Sequence, residues 1–142
     1  MPVSVKVDAK AWILLAFLML TVPLSWLTAS LLAAIIHEMC HILVITAFKL
    51  PIYGVSVGLS GAKIHTAPLL PWQEFACAAA GPVGSFLCVL LIHRWPMIAL
   101  CGLVQGFFNL LPIYPLDGGR MLRCLFRVIG KIPCKESNLG VQ

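Results

Sequence analysis

Residues 37–41 read His-Glu-Met-Cys-His and lie inside a long apolar run. Residues four apart share one face of a helix, with Cβ atoms roughly 5–6 Å apart. His37 and His41 can therefore hold one metal ion from a single helix, and Glu38, next to the first histidine, can reach a water on that ion. Two imidazoles, a water and a carboxylate are the parts of a zinc hydrolase. The setting sharpens the signal, because His and Glu are costly in a hydrocarbon layer and mark function there.

A second constellation runs from Asn109 through Pro112, Tyr114, Pro115 and Asp117 to Gly118, Gly119 and Arg120. Two prolines three apart forbid a regular helix and favour extended backbone. At membrane depth such backbone is tolerated where it is buried in protein or lines a wet cavity. Asp117 follows directly, at the start of an expected helix. It can serve as a third metal ligand or as the N-cap of that helix, and the His-Glu-x-x-His motif elsewhere favours the ligand. His65 and His93 read as interfacial histidines rather than ligands. The six cysteines (40, 77, 88, 101, 124 and 134) form no C-x-x-C pair. They point to small core residues, not to a disulfide framework or a thiolate metal site.

The elements that must position these groups are membrane helices. The 142 residues are 61% hydrophobic and 11% charged, against about 25% charged in soluble domains. That balance predicts one all-α polytopic membrane domain over 1–142. Spans are expected at about 11–26, 27–48, 73–92 and 95–111, the fourth being broken, with a C-terminal helix at about 118–129. Lys6 and Lys10 precede the first apolar run, but no A-x-A site follows before the next apolar run, so the first is expected to be retained. Alternating Tyr53, Val55 and Val57, followed by Gly58, Ser60 and Gly61, predict a short β-hairpin at the membrane surface over about 52–66. Ala78 to Ser85 is a run of small residues suited to close helix packing, and Pro82 within it predicts a kink.

The net charge of +5 reads as a topology signal rather than a nucleic-acid footprint, and no nucleic-acid partner is expected. With four spans, Lys6, Lys10, Lys49, Lys63, Arg120, Arg123, Arg127, Lys131 and Lys135 share one side, and Arg94 stands alone on the other. By the positive-inside rule both termini are cytosolic, in a multi-pass protein of the cell membrane.

Taken together, these motifs resemble the site-2 protease family of intramembrane zinc metalloproteases (peptidase M50). His37-Glu38-x-x-His41 is similar to the family's zinc and catalytic motif. Asn109-x-x-Pro112-x-x-Pro115-Leu116-Asp117-Gly118-Gly119 is similar to its third-ligand motif, and Ala80-Gly81-Pro82 resembles an intervening signature. The likeness extends from about residue 11 to 129 and looks nearest to the compact sporulation-type branch, whose members process a membrane-tethered pro-sigma factor near the cytosolic face. Met39-Cys40 departs from the usual Leu-Gly between the histidines, and Ser85 stands where an Asn often follows the Ala-Gly-Pro signature.

The resemblance implies one Zn²⁺ per chain on His37, His41 and Asp117, with Glu38 as the catalytic base and Asn109 positioning the substrate. It also implies a membrane-embedded or membrane-tethered protein substrate and a regulatory membrane partner. No PDZ-sized insertion is expected, so substrate choice would rest on the membrane core, the hairpin or that partner. A catalytically silent zinc-binding scaffold would keep the same ligands without needing Glu38. A metal carrier would want polar groups spaced along a path rather than one cluster.

Overall fold

The computed structural model describes residues 4–58 and 61–130; Lys131, Cys134 and Lys135 lie outside them. The chain runs β1 (Ser4–Val7), α1 (Ala9–Thr21), α2 (Leu24–Ala47), β2 (Ile52–Gly58), β3 (Gly61–Thr66), α3 (Pro71–Leu87), α4 (Pro96–Asn109) and α5 (Asp117–Val128). A 3₁₀ turn, Cys88–Leu91, extends α3.

Several boundaries differ from the sequence reading. The first apolar run does not continue to Trp26. α1 ends at Thr21, and Pro23 is the N-cap of α2, so Ser25 and Trp26 belong to the second helix. Proline has no N–H to give to a preceding turn, yet its fixed φ suits the start of a helix. α3 runs through Pro82 as one α-helix. Among the described residues, two helices are long and apolar enough to cross a membrane, Leu24–Ala47 and Pro71–Leu91, whereas α1 and α4 are shorter. At 1.5 Å per residue the 13 residues of α1 extend about 20 Å, less than the roughly 30 Å hydrocarbon core.

The expected hairpin forms and gains a further strand. The hairpin strands β2 and β3 pair in register Val55↔Ile64 and Val57↔Ala62, and β1 adds a third, parallel strand with Ser4↔Gly54 and Val7↔Val57. The sheet order is β1-β2-β3, so β2 is central. β1 is four residues long, too short for its alternation to stand out, and its pairing partner lies some fifty residues away. The Asp8 N–H reaches the Val57 carbonyl at 2.9 Å, and the Asp8 side chain caps α1. α1 buries none of its residues, so β1 and Asp8 fix its N-terminal end.

The core lies where α2, α3, α4 and α5 meet, and it is built from small residues. The buried face of α2 repeats every fourth position through Ala29, Ala33, His37, His41 and Ile45. α4 offers Ala99, Gly102 and Gly106, and α3 offers Ala78, Gly81 and Gly84. Small side chains let helix backbones approach where lipid supplies no hydrophobic drive.

α5 is arranged opposite to a helix in water. Its exposed residues include Leu122, Leu125, Phe126 and Val128, while its arginines turn inward. Arg127 Nη1 donates to Glu74 Oε2 at 3.2 Å, and Arg120 Nη1 donates to Asp117 Oδ1 at 3.5 Å. The Arg123 guanidinium lies 4.2 Å from the centre of the Tyr114 ring. Glu74 is buried, and a buried carboxylate without such a partner costs several kcal/mol. The basic residues read from sequence as topology signals are here also the ties that fasten α5 to α3 and to the 110–116 segment.

Candidate metal centre

His37 and His41 meet on α2 because they occupy consecutive steps of its buried stripe. Asp117 arrives from another direction. α4 ends at Asn109, an irregular segment follows, and α5 begins at Asp117 with Leu116 in the cap position. Asp117 is thus the first helical residue, not the cap, and its side chain turns into the bundle. Gly118 and Gly119 allow this approach. A Cβ on Gly119 would stand 2.6 Å from the Ile113 carbonyl carbon, and one on Gly118 would collide with the Leu110 carbonyl.

The three side chains are buried and nearly equidistant. His37 Nε2 lies 3.1 Å from Asp117 Oδ2, His41 Nε2 lies 3.2 Å from the same oxygen, and the two Nε2 atoms are 3.2 Å apart. Ligands on a tetrahedral ion with bonds of about 2.0–2.1 Å sit roughly 3.3 Å from each other, so this donor triangle fits zinc. His41 Nδ1 lies 2.6 Å from the Cys77 carbonyl. A carbonyl only accepts, which puts the ring proton on Nδ1 and leaves the Nε2 lone pair facing the centre. That lone pair, a carboxylate oxygen and a second imidazole nitrogen then converge on one point, where a bound cation would satisfy all three.

Gly81 of α3 closes the cradle. A Cβ there would stand 2.6 Å from His37 Nε2 and closer still to His41 Nε2. The cluster therefore has room only because residue 81 has no side chain. Cys40 serves packing, since it fills the space that Gly84 leaves open, and Met39 faces outward.

Glu38 is half-buried, and its carboxylate faces the backbone of Ala62 on β3. The Asn109 amide nitrogen lies 3.5 Å from His37 Nε2. His65 is exposed and bonds Ser56 Oγ at 3.0 Å, and His93 is exposed in the turn after the 3₁₀ segment. Neither joins the cluster. Sequence reasoning missed the groups that hold the ligands in place. The Cys77 carbonyl leaves no side-chain signal at all. Arg120 carried one only in standing three residues, about one helical turn, from Asp117. Ser85 Oγ, 2.8 Å from His37 Nδ1, was visible only as a departure from a family pattern.

Residues 88–141 match Peptidase family M50, a segment that contains Asn109 and Asp117 but not the histidine pair. Stage IV sporulation protein FB of Bacillus subtilis is 30% identical over 139 residues, 87% of this chain and 48% of that protein. A zinc metalloprotease of Methanocaldococcus jannaschii is 29% identical over 107 residues, 66% of this chain and 32% of that one. The chain thus spans about a third to a half of the length of these curated relatives. The solved structure of a site-2 protease from the same archaeon shares the fold at a TM-score of 0.71 and 19% identity, covering 87% of this chain and 67% of that one.

Metal analysis of the purified protein checks the cradle. The wild type should carry about one zinc per chain. His37→Ala, His41→Ala and Gly81→Ala should lose most of it, the last because the new methyl enters the space between the rings. Asp117→Asn should keep more than Asp117→Ala, since an amide oxygen can still coordinate. Full zinc retention in Gly81→Ala would place the ion elsewhere.

Proposed function

We propose, for a chain that belongs to the site-2 protease family of zinc metalloproteases (peptidase family M50), that it is an intramembrane metalloendopeptidase acting on membrane-tethered protein substrates, regulatory factors of the pro-sigma kind among them. The observation that carries the reading is the buried triangle of His37, His41 and Asp117 against Gly81. It is a three-ligand site, and three protein ligands with an open fourth position characterise catalytic rather than structural zinc. When bound, zinc supplies Lewis acidity to the peptide carbonyl and acidity to the attacking water.

The chain's own residues do the rest. His37, His41 and Asp117 fix the site. A Glu38 carboxylate oxygen takes the proton of the attacking water and returns it to the nitrogen of the peptide bond that breaks. The Asn109 amide, at the rim of the triangle, positions the substrate. A substrate helix must first unwind, because its carbonyls are tied in i−4 bonds, and the opened segment then needs a strand partner. β2 is already paired on both sides, so it cannot be that partner. The outer edge of β3 can, and Ala62 on it stands against Glu38. Backbone groups alternate along a strand, so Ile64 turns its N–H to the same edge. β-addition there would deliver an extended peptide beside the base.

Orientation rests on the charge asymmetry, with the shorter α1 and α4 crossing a locally thinned bilayer beside the two longer helices and both termini cytosolic. A reporter fused beside His93 should read outside; one that read cytosolic would reverse the arrangement.

The central test is cleavage on co-expression with single-span candidate substrates. Glu38→Gln keeps the ligands, so zinc should stay near one per chain, while proteolysis falls by about 10²–10⁴-fold with loss of the base. Wild-type cleavage by that variant would remove Glu38 from the mechanism. In the same assay, Ile64→Pro deletes one edge donor and should slow cleavage without releasing zinc. Unchanged cleavage would argue against capture on β3.

A further inference from the structure

Ser85 is fully buried on α3, and among the described residues its hydroxyl is the hydrogen-bonding partner of His37 Nδ1, at 2.8 Å. On the other side of that ring, His37 Nε2 faces Asp117 Oδ2 at 3.1 Å. A neutral imidazole carries one proton and can place it on either nitrogen. If the proton sits on Nε2, it is donated to Asp117, and His37 ties up the carboxylate instead of offering a lone pair. If it sits on Nδ1, it needs a buried acceptor, and Ser85 Oγ is that acceptor. We propose that Ser85 is a positioning residue that holds the His37 ring proton on Nδ1 against the pull of Asp117, and so keeps Nε2 free as a ligand.

The inference rests on the metal reading above and extends it to a residue outside the zinc and catalytic motifs. A Cβ on Gly106 of α4 would stand 3.1 Å from Ser85 Cβ, so α4 packs closely against this site. Alanine there removes one oxygen and leaves the contact with α4 unchanged. His41 provides an internal comparison. Its Nδ1 is fixed by the Cys77 backbone carbonyl, which no side-chain change at residue 85 removes.

The test is the protonation pattern of the two rings, read from ring-nitrogen resonances of the metal-free protein, together with zinc affinity measured by chelator competition. Ser85→Ala should move the His37 proton towards Nε2, leave His41 on Nδ1, and weaken zinc by about 10- to 100-fold, as loss of a ligand's outer hydrogen bond does. Ser85→Cys, similar in size with a poorer acceptor, should act in the same direction and serves if the alanine variant does not fold. A folded variant with wild-type zinc affinity and an unchanged His37 tautomer would overturn the proposal, and so would equal disturbance of both rings, which marks general loosening. A wild-type chain that takes up no zinc would overturn the metal reading instead, and the His37 tautomer would still decide the role of Ser85.

Discussion

Everything in this fold depends on the closeness of α3 to α2 at Gly81. Two imidazole nitrogens and a carboxylate oxygen sit in a triangle 3.1–3.2 Å on a side, and its wall is a backbone without a side chain. A methyl group at this point would fill the space the ion needs. The same demand recurs around it, with Gly84 against Cys40 and Gly106 against Ser85. In water, burial of large apolar side chains would hold such helices together. In a bilayer the lipid is as apolar as leucine, so close packing and hydrogen bonds must do it. The scarcity of large residues in the core and the crowd of them on the surface are two sides of that condition.

The third ligand imposes a different demand. Asp117 must enter between helices, at a depth where an ordinary loop would leave polar groups unpaired. Ending α4 at Asn109 and restarting the chain as α5 brings the carboxylate in at the first position of a helix. The positive end of a helix dipole favours an anion there. The inward arginines then fix α5 from its polar side, Arg120 on the free oxygen of Asp117 and Arg127 on Glu74. The helix that carries Asp117 is thus fastened by charge inside and left apolar outside.

The small sheet joins the membrane helices to the chemistry. β3 lies beside Glu38, β2 ties β3 to β1, and β1 leads directly into α1. α1 buries no side chain of its own, so its position is coupled to the strand system that faces the Glu38 carboxylate. Any shift of α1 at its N-terminal end must pass through that sheet.

The amino-acid sequence alone marked the residues of the candidate metal centre. His37 and His41 four residues apart, Glu38 beside them, the proline-broken approach to Asp117 and the apolar composition are local or compositional facts, and local rules suffice to read them. It also determined the hairpin, because alternation and glycine turns act over a few residues. What only the tertiary structure decided were the contacts between segments far apart in the chain. β1 became a strand because β2 offered it a partner. Pro23 opened a new helix rather than interrupting an old one. The arginines of α5 turned inward because Glu74, Asp117 and Tyr114 were there to receive them. Ser85 changed from an oddity of spacing into the hydrogen-bond partner of His37, because that contact depends on a distance of 2.8 Å across 48 residues of sequence. Periodicity describes each helix by itself, and which faces meet is fixed only when the helices pack.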